Sequence, residues 1–155
     1  MVLRAPLSRP HASATGKGEL MGTLPSELFE LSIGDGQPQQ SFLPVSGLRL
    51  HGLSLESDVV EVTSDDNGGW RRLLSGGGIR RMVVHGEGLF TSSPAELRLR
   101  ELALLGASAE FELTLEGECR MRGPLVVSTL RYDATQDEEV TFSVKLESAG
   151  PILTI

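Results

Sequence analysis

The sequence predicts an α+β fold, mainly β, in which half-buried antiparallel strands carry one flanking α-helix. Three long segments alternate apolar and polar residues with the period of a strand. A single segment has complete helix start and stop signals. The composition, with 18 glycines and only 5% aromatic residues in 155, suits short strands and turns better than a helical bundle. A chain of this length is expected to form one domain that buries its core without metal or disulfide help.

Residues 1–20 are basic and proline-broken (Arg4, Pro6, Arg9, Pro10, His11) and lack the apolar stretch of a signal peptide. They are expected to be a flexible arm or a mis-called start, with Met21 as the alternative first residue. The domain is then 21–155. Three of the 14 basic residues (Arg4, Arg9, Lys17) and one of the 21 acidic ones (Glu19) fall in the first 20, so the remainder is more acidic than the whole.

Phe29 to Ile33 reads as a short strand closed by the turn Gly34-Asp35-Gly36. Extended structure resumes from Phe42 to Val45 and from Leu48 to Val62, with Gly52 marking a bulge. Between Thr63 and Ile79 lies Ser64-Asp65-Asp66-Asn67-Gly68-Gly69-Trp70-Arg71-Arg72-Leu73-Leu74-Ser75-Gly76-Gly77-Gly78, which carries the only tryptophan. A loop of about 15 residues without structure of its own is uncommon in a compact domain. An active-site lid is the alternative, but the loop has no histidine, cysteine or obvious nucleophile, and its exposed apolar groups need another chain to cover them. It reads as an assembly arm, with Trp70, Arg71, Arg72, Leu73 and Leu74 as anchors of the type that dominate interfaces.

From Ile79 to Phe90, Met82, Val84, Gly86 and Gly88 alternate with Arg81, Val83, His85, Glu87 and Leu89. Ser93 with Glu96 then forms a capping box, Pro94 takes the first helical position and Gly106 supplies the stop. Ala95, Leu99, Leu102 and Leu105 share a stripe, broadened by Leu97 and Leu104, which would cover a sheet and touch a second subunit. Strand periodicity returns in Phe111, Leu113 and Leu115 against Glu110, Glu112 and Glu116, and in Val140, Phe142, Val144 and Leu146 against Glu139, Thr141, Ser143, Lys145 and Glu147.

The net charge of -7 argues against a surface that grips phosphates. No run approaches the roughly 18 to 20 apolar residues of a membrane span. Cys119 is the only cysteine, which rules out an internal disulfide, disfavours a cysteine zinc site and points to synthesis in the cytoplasm. Catalytic constellations are missing. Gly76-Gly77-Gly78 precedes a strand and lacks the Lys-Ser/Thr of a phosphate loop, so it reads as a hinge, and Gly-x-Ser-x-Gly does not occur. His51 and His85 fall on different strands without metal-ligand spacing. No enzyme activity and no cofactor are expected.

The order of Val60-Glu61-Val62-Thr63-Ser64, Gly69-Trp70-Arg71-Arg72-Leu73-Leu74-Ser75-Gly76-Gly77-Gly78-Ile79, Gly86-Glu87-Gly88-Leu89-Phe90 and Glu139-Val140-Thr141-Phe142-Ser143-Val144-Lys145-Leu146-Glu147-Ser148-Ala149-Gly150 resembles the phage major tail protein, or tail tube, family of non-contractile tails and gene transfer agents. The resemblance covers roughly residues 25–155. It implies a β-sandwich or barrel-like subunit assembled as homohexameric rings, stacked into a tube through which DNA passes. It also implies a tape-measure protein, a tail terminator and a distal tail protein as partners. Residues 57–78 would correspond to the family's long inter-ring loop. Glu110, Glu112, Glu116, Glu139 and Glu147 are candidates for an acidic lumen lining, and a solvated outer face explains them equally well. Two other functions stay open: the tube protein of a contractile injection or secretion system, and a small-ligand-binding β-barrel.

Overall fold

The computed structural model describes residues 29–116, 119–134, 136 and 139–155; the expected N-terminal arm lies outside them. The chain order is β1 (Phe29–Gly34), β2 (Phe42–Pro44), β3 (Leu48–Ser57), β4 (Val60–Glu61), a 3-10 turn (Asp65–Asn67), β5 (Leu73–Leu74), β6 (Arg80–Leu89), α1 (Pro94–Leu105), β7 (Ser108–Leu115), β8 (Cys119–Ala134), β9 (Val140–Ser148) and β10 (Leu153–Thr154).

One antiparallel sheet runs in the order β2-β1-β7-β8-β9-β6-β3, with β10 paired to β8. The 16-residue β8 joins its two halves. Residues 119–126 of β8 pair with β7 and residues 125–134 with β9, and the register shifts between Val127 and Thr129. Such an irregularity bends a strand and lets one sheet fold over on itself. The inner faces of both halves then meet in one core. Leu31, Ile33, Phe111 and Leu113 come from one half, and Leu50, Met82, Val84, Phe142, Val144 and Leu146 from the other. The sheet does not close into a barrel by hydrogen bonding among the described residues.

The helix forms where its signals lie. The Ser93 hydroxyl accepts from the Glu96 N–H at 3.3 Å, and Gly106 ends the helix in the left-handed region. The second half of the capping box differs from expectation. The buried Glu96 carboxylate reaches past Ser93 to accept from the Thr91 N–H at 3.0 and 3.1 Å and from its hydroxyl at 3.1 Å. It thereby ties the loop after β6 to the helix.

Ala95, Leu99 and Leu102 are buried, but Leu104 and Leu105 are not. The stripe is narrower and shorter than its periodicity implied, since Leu97 is exposed as well. The bulge expected at Gly52 is present, as the β3–β6 register slips between Leu50 and Gly52.

Candidate assembly interface

Residues 58–79 form an arm beyond the end of the main sheet, and the arm is more ordered than a bare loop. At its root Asp58 N–H donates to the Ile79 carbonyl at 2.8 Å. Further out, β4 and β5 pair as a two-stranded ladder, Val60 opposite Leu74 and Glu61 opposite Leu73. Val62 N–H donates to Arg72 O at 2.9 Å, and Arg72 N–H to the Thr63 hydroxyl at 3.1 Å. Asp65 to Gly68 turn the tip, with Gly68 and Gly69 both at positive φ.

Within the glycine run at the return, Gly77 and Gly78 are packed, whereas Gly76 lies in open space at positive φ. A Cβ on Gly78 would stand 1.6 Å from the Asp58 carbonyl oxygen. Only glycine lets the two legs of the arm approach so closely.

The arm is a ladder of two strands with no layer against it, and its apolar side chains lie in solvent. Trp70 is 79% exposed, and Val59, Val60, Val62, Leu73, Leu74 and Ile79 are exposed as well. Val60 and Leu74 share one side of the ribbon and Leu73 lies on the other, and apolar groups left open in this way are of the kind that interfaces cover. All five anchors named from the sequence share this arm.

The acidic candidates do not share one surface. Directly opposed residues in antiparallel strands point to the same side. The pairs Ser32–Glu112, Glu112–Arg122 and Glu110–Pro124 therefore place Glu110 and Glu112 on the outer face of the β1-β7-β8 half. There Glu112 is clasped by Arg122 at 2.7 Å and approached by Arg120 at 3.9 Å, while the Arg122 guanidinium lies 4.5 Å from the centre of the Phe42 ring.

Glu147 lies on the outer face of the other half, opposite Val83 and Val126. Glu116 and Glu139 are exposed in the segments that flank β7 and β9. The outer face that bears Glu147 is balanced in charge. Arg49, Arg81, Arg131 and Lys145 share it with Glu56, Glu87, Asp133 and Glu147. The pairs Arg81–Glu56 (2.7 Å), Arg131–Asp133 (2.9 Å) and Lys145–Glu147 (4.0 Å) alternate sign across it. Its hydrogen bond from Arg81 holds the Glu56 carboxyl below the usual carboxylate range.

His51 and His85 stack on this face with ring centroids 6.5 Å apart, a pairing hidden from the sequence because the bulge sets it. Among the described residues no cluster of three or more His, Cys, Asp or Glu could hold a metal ion. Cys119 is exposed at the start of β8 and is not an interior small hydrophobe.

The fold is an antiparallel sheet folded over on itself, with one capped helix and an exposed apolar arm. The family model of the phage tail tube protein matches residues 26–154, and the chain belongs to that family. It is a structural subunit of a phage-like tail tube.

Among solved structures, it is similar to a chain in the tail of an empty gene transfer agent particle determined with C6 symmetry, at 25% identity and a TM-score of 0.77, covering 86% of this chain and 99% of that one. A chain of the native gene transfer agent virion gives 25% identity and a TM-score of 0.74 over the same shares. The SPP1 tail tube shares the fold alone, at 15% identity and a TM-score of 0.54, covering 81% of this chain and 74% of that one. So does a chain in the baseplate of the anti-feeding prophage, at 13% identity and a TM-score of 0.57, covering 82% of this chain and 91% of that one. No curated protein matches the sequence.

Proposed function

We propose that the protein forms homohexameric rings that stack into a tube for DNA delivery, with the 58–79 arm gripping the neighbouring ring. The exposed arm, Trp70 at its head, is the observation that carries this reading.

Ring closure has a physical route. Among the described residues β3 is paired on one side only, and β7 leaves the edge of β8 from Ser128 to Ala134 uncovered. The strands β3, β6, β9 and the second half of β8 are four in number and alternate in direction. β3 of one copy therefore meets β8 of the next as an antiparallel pair, and closing the ring covers both of these edges.

The outer face of these four strands then lines the lumen, which brings Glu147 to the channel and leaves Glu110 and Glu112 outside it. The lining has charge of both signs, so it offers phosphates no excess of Lys and Arg to bind. DNA passes because it is not held. A tape-measure protein, a tail terminator and a distal tail protein complete the tail.

Electron microscopy of the purified full-length protein tests the reading. Sixfold rings and stacked tubes are expected. A uniformly monomeric preparation, even at high concentration and in the presence of preformed tail tips, overturns it.

A further inference from the structure

Resting on the reading of the arm as an inter-ring grip, we infer where that arm lands: in a groove at the far end of the same strands on a copy in the next ring. The arm leaves the sheet where β3 ends and β6 begins, at Ser57 and Arg80. At the opposite end of β3 and β6, at the rim of the face that lines the proposed lumen, is a groove of about 590 Å³, lined by Gly47, Arg49, Glu87, Gly88, Leu89 and Asp133 together with the start of β9. When copies stack head to tail along the strand direction, the arm of one points at this end of the next.

From Asp58 to Asp66 an extended leg spans up to about 25 Å, enough to cross a ring boundary. A second groove, of about 610 Å³ and lined by Leu55, Met82 and Ile152, opens at the arm's own root. Head-to-tail stacking directs the arm away from it.

The chemistry of the two parts matches. Leu89 is 50% exposed at the groove and offers an apolar wall for the Trp70 indole. Glu87 is an exposed carboxylate at the groove for Arg72, beside Asp133, which is paired with Arg131. The exposed Arg49 faces the opposite need, the Asp65-Asp66 pair at the tip, and its guanidinium can also stack on the indole. Such a contact is heterologous, donor arm into acceptor groove, and repeats without closing, as a stacked tube requires.

A charge exchange tests the assignment. Glu87→Arg in the groove and Arg72→Glu on the arm are each expected to raise the protein concentration needed for stacking about tenfold, as the loss of a complementary interfacial pair does. Combined in one chain, they are expected to restore stacking to within about twofold. Ser143→Trp, which fills the groove without altering charge, is expected to block stacking as well. Thermal unfolding of each variant reports whether the subunit still folds.

If both groove variants fold and stack normally while Trp70→Ala does not stack, the groove is not the acceptor and the arm reading stands. If Trp70→Ala also stacks normally, the arm reading falls with it. A double variant no better than the worse single one overturns the pairing of Glu87 with Arg72.

Discussion

Trp70 and Phe111 are both large aromatic residues, and their surroundings give them opposite duties. Phe111 is 2% exposed in the shared core of the two half-sheets, whereas Trp70 stands in solvent at the head of the arm. Phe111→Ala should cost about 3–5 kcal/mol of subunit stability, the usual range for a truncated core aromatic. Trp70→Ala should leave the unfolding transition within about 0.5 kcal/mol of the parent and abolish ring stacking. Denaturant melts beside tube-length distributions check both, and a collapsed melting temperature with normal tubes for Trp70→Ala would contradict the assignment.

Tyr132 makes a second residue-scale case. It packs edge-on to Phe90 at 5.8 Å and tilts over Phe142 at 6.3 Å. Burial raises its phenol above the ordinary value of 10.0, against the smaller pull of the Arg100 charge. The neutral phenol is thus favoured in the folded state. Its contribution is fully present below pH of about 10 and is lost as pH climbs through the raised folded value. Because the residue is 39% exposed, the loss is small. Tyr132→Phe should flatten this alkaline decline between about pH 9.5 and 11, measured by urea unfolding, and an unchanged slope would count against it.

At the scale of elements, the arm depends on the close approach of its two legs at the root. Gly78→Ala puts a methyl group into the Asp58 carbonyl and should separate the legs while sparing the main sheet, whose pairing ends at Ser57 and Arg80. Hydrogen exchange should then speed up at the Val62 and Arg72 amides and stay slow at Val84 and Val144; protected arm amides would show that the arm does not need this glycine. The sequence shows the arm's existence because Trp70-Arg71-Arg72-Leu73-Leu74 sits between glycines and has no core to join. It hides the arm's own ladder, since the two-residue strands β4 and β5 are too short to show a period. Periodicity likewise reveals which residues of β6, β7 and β9 face inward, because one side of each meets the core. It cannot show that Leu104 and Leu105 stay exposed, or that Glu96 bonds to Thr91, because these depend on how one element is placed against another. The acidic alternations in β7 and β9 look alike in sequence, and only strand order separates Glu110 and Glu112 from Glu147.

On the scale of the whole molecule, the charge of the lining can be varied without touching the fold. Glu147 sits near the end of β9 on the balanced face and pairs loosely with Lys145 at 4.0 Å, about 40% exposed on both sides, so its loss costs the subunit roughly 0–1 kcal/mol. In the proposed tube, Glu147→Lys would change the lining by two charges per copy, repeated in every subunit of every ring. A lumen with surplus ammonium groups releases counterions when it meets phosphate, and affinity gained this way falls steeply with salt. Particles built from Glu147→Lys should assemble normally but deliver less DNA, with the defect relieved as ionic strength rises. Glu110→Lys has the same change in net charge on the other half-sheet and should deliver normally. Equal defects from the two substitutions would mean that net charge matters and position does not, and a defect confined to Glu110→Lys would place the opposite face of the subunit against the DNA.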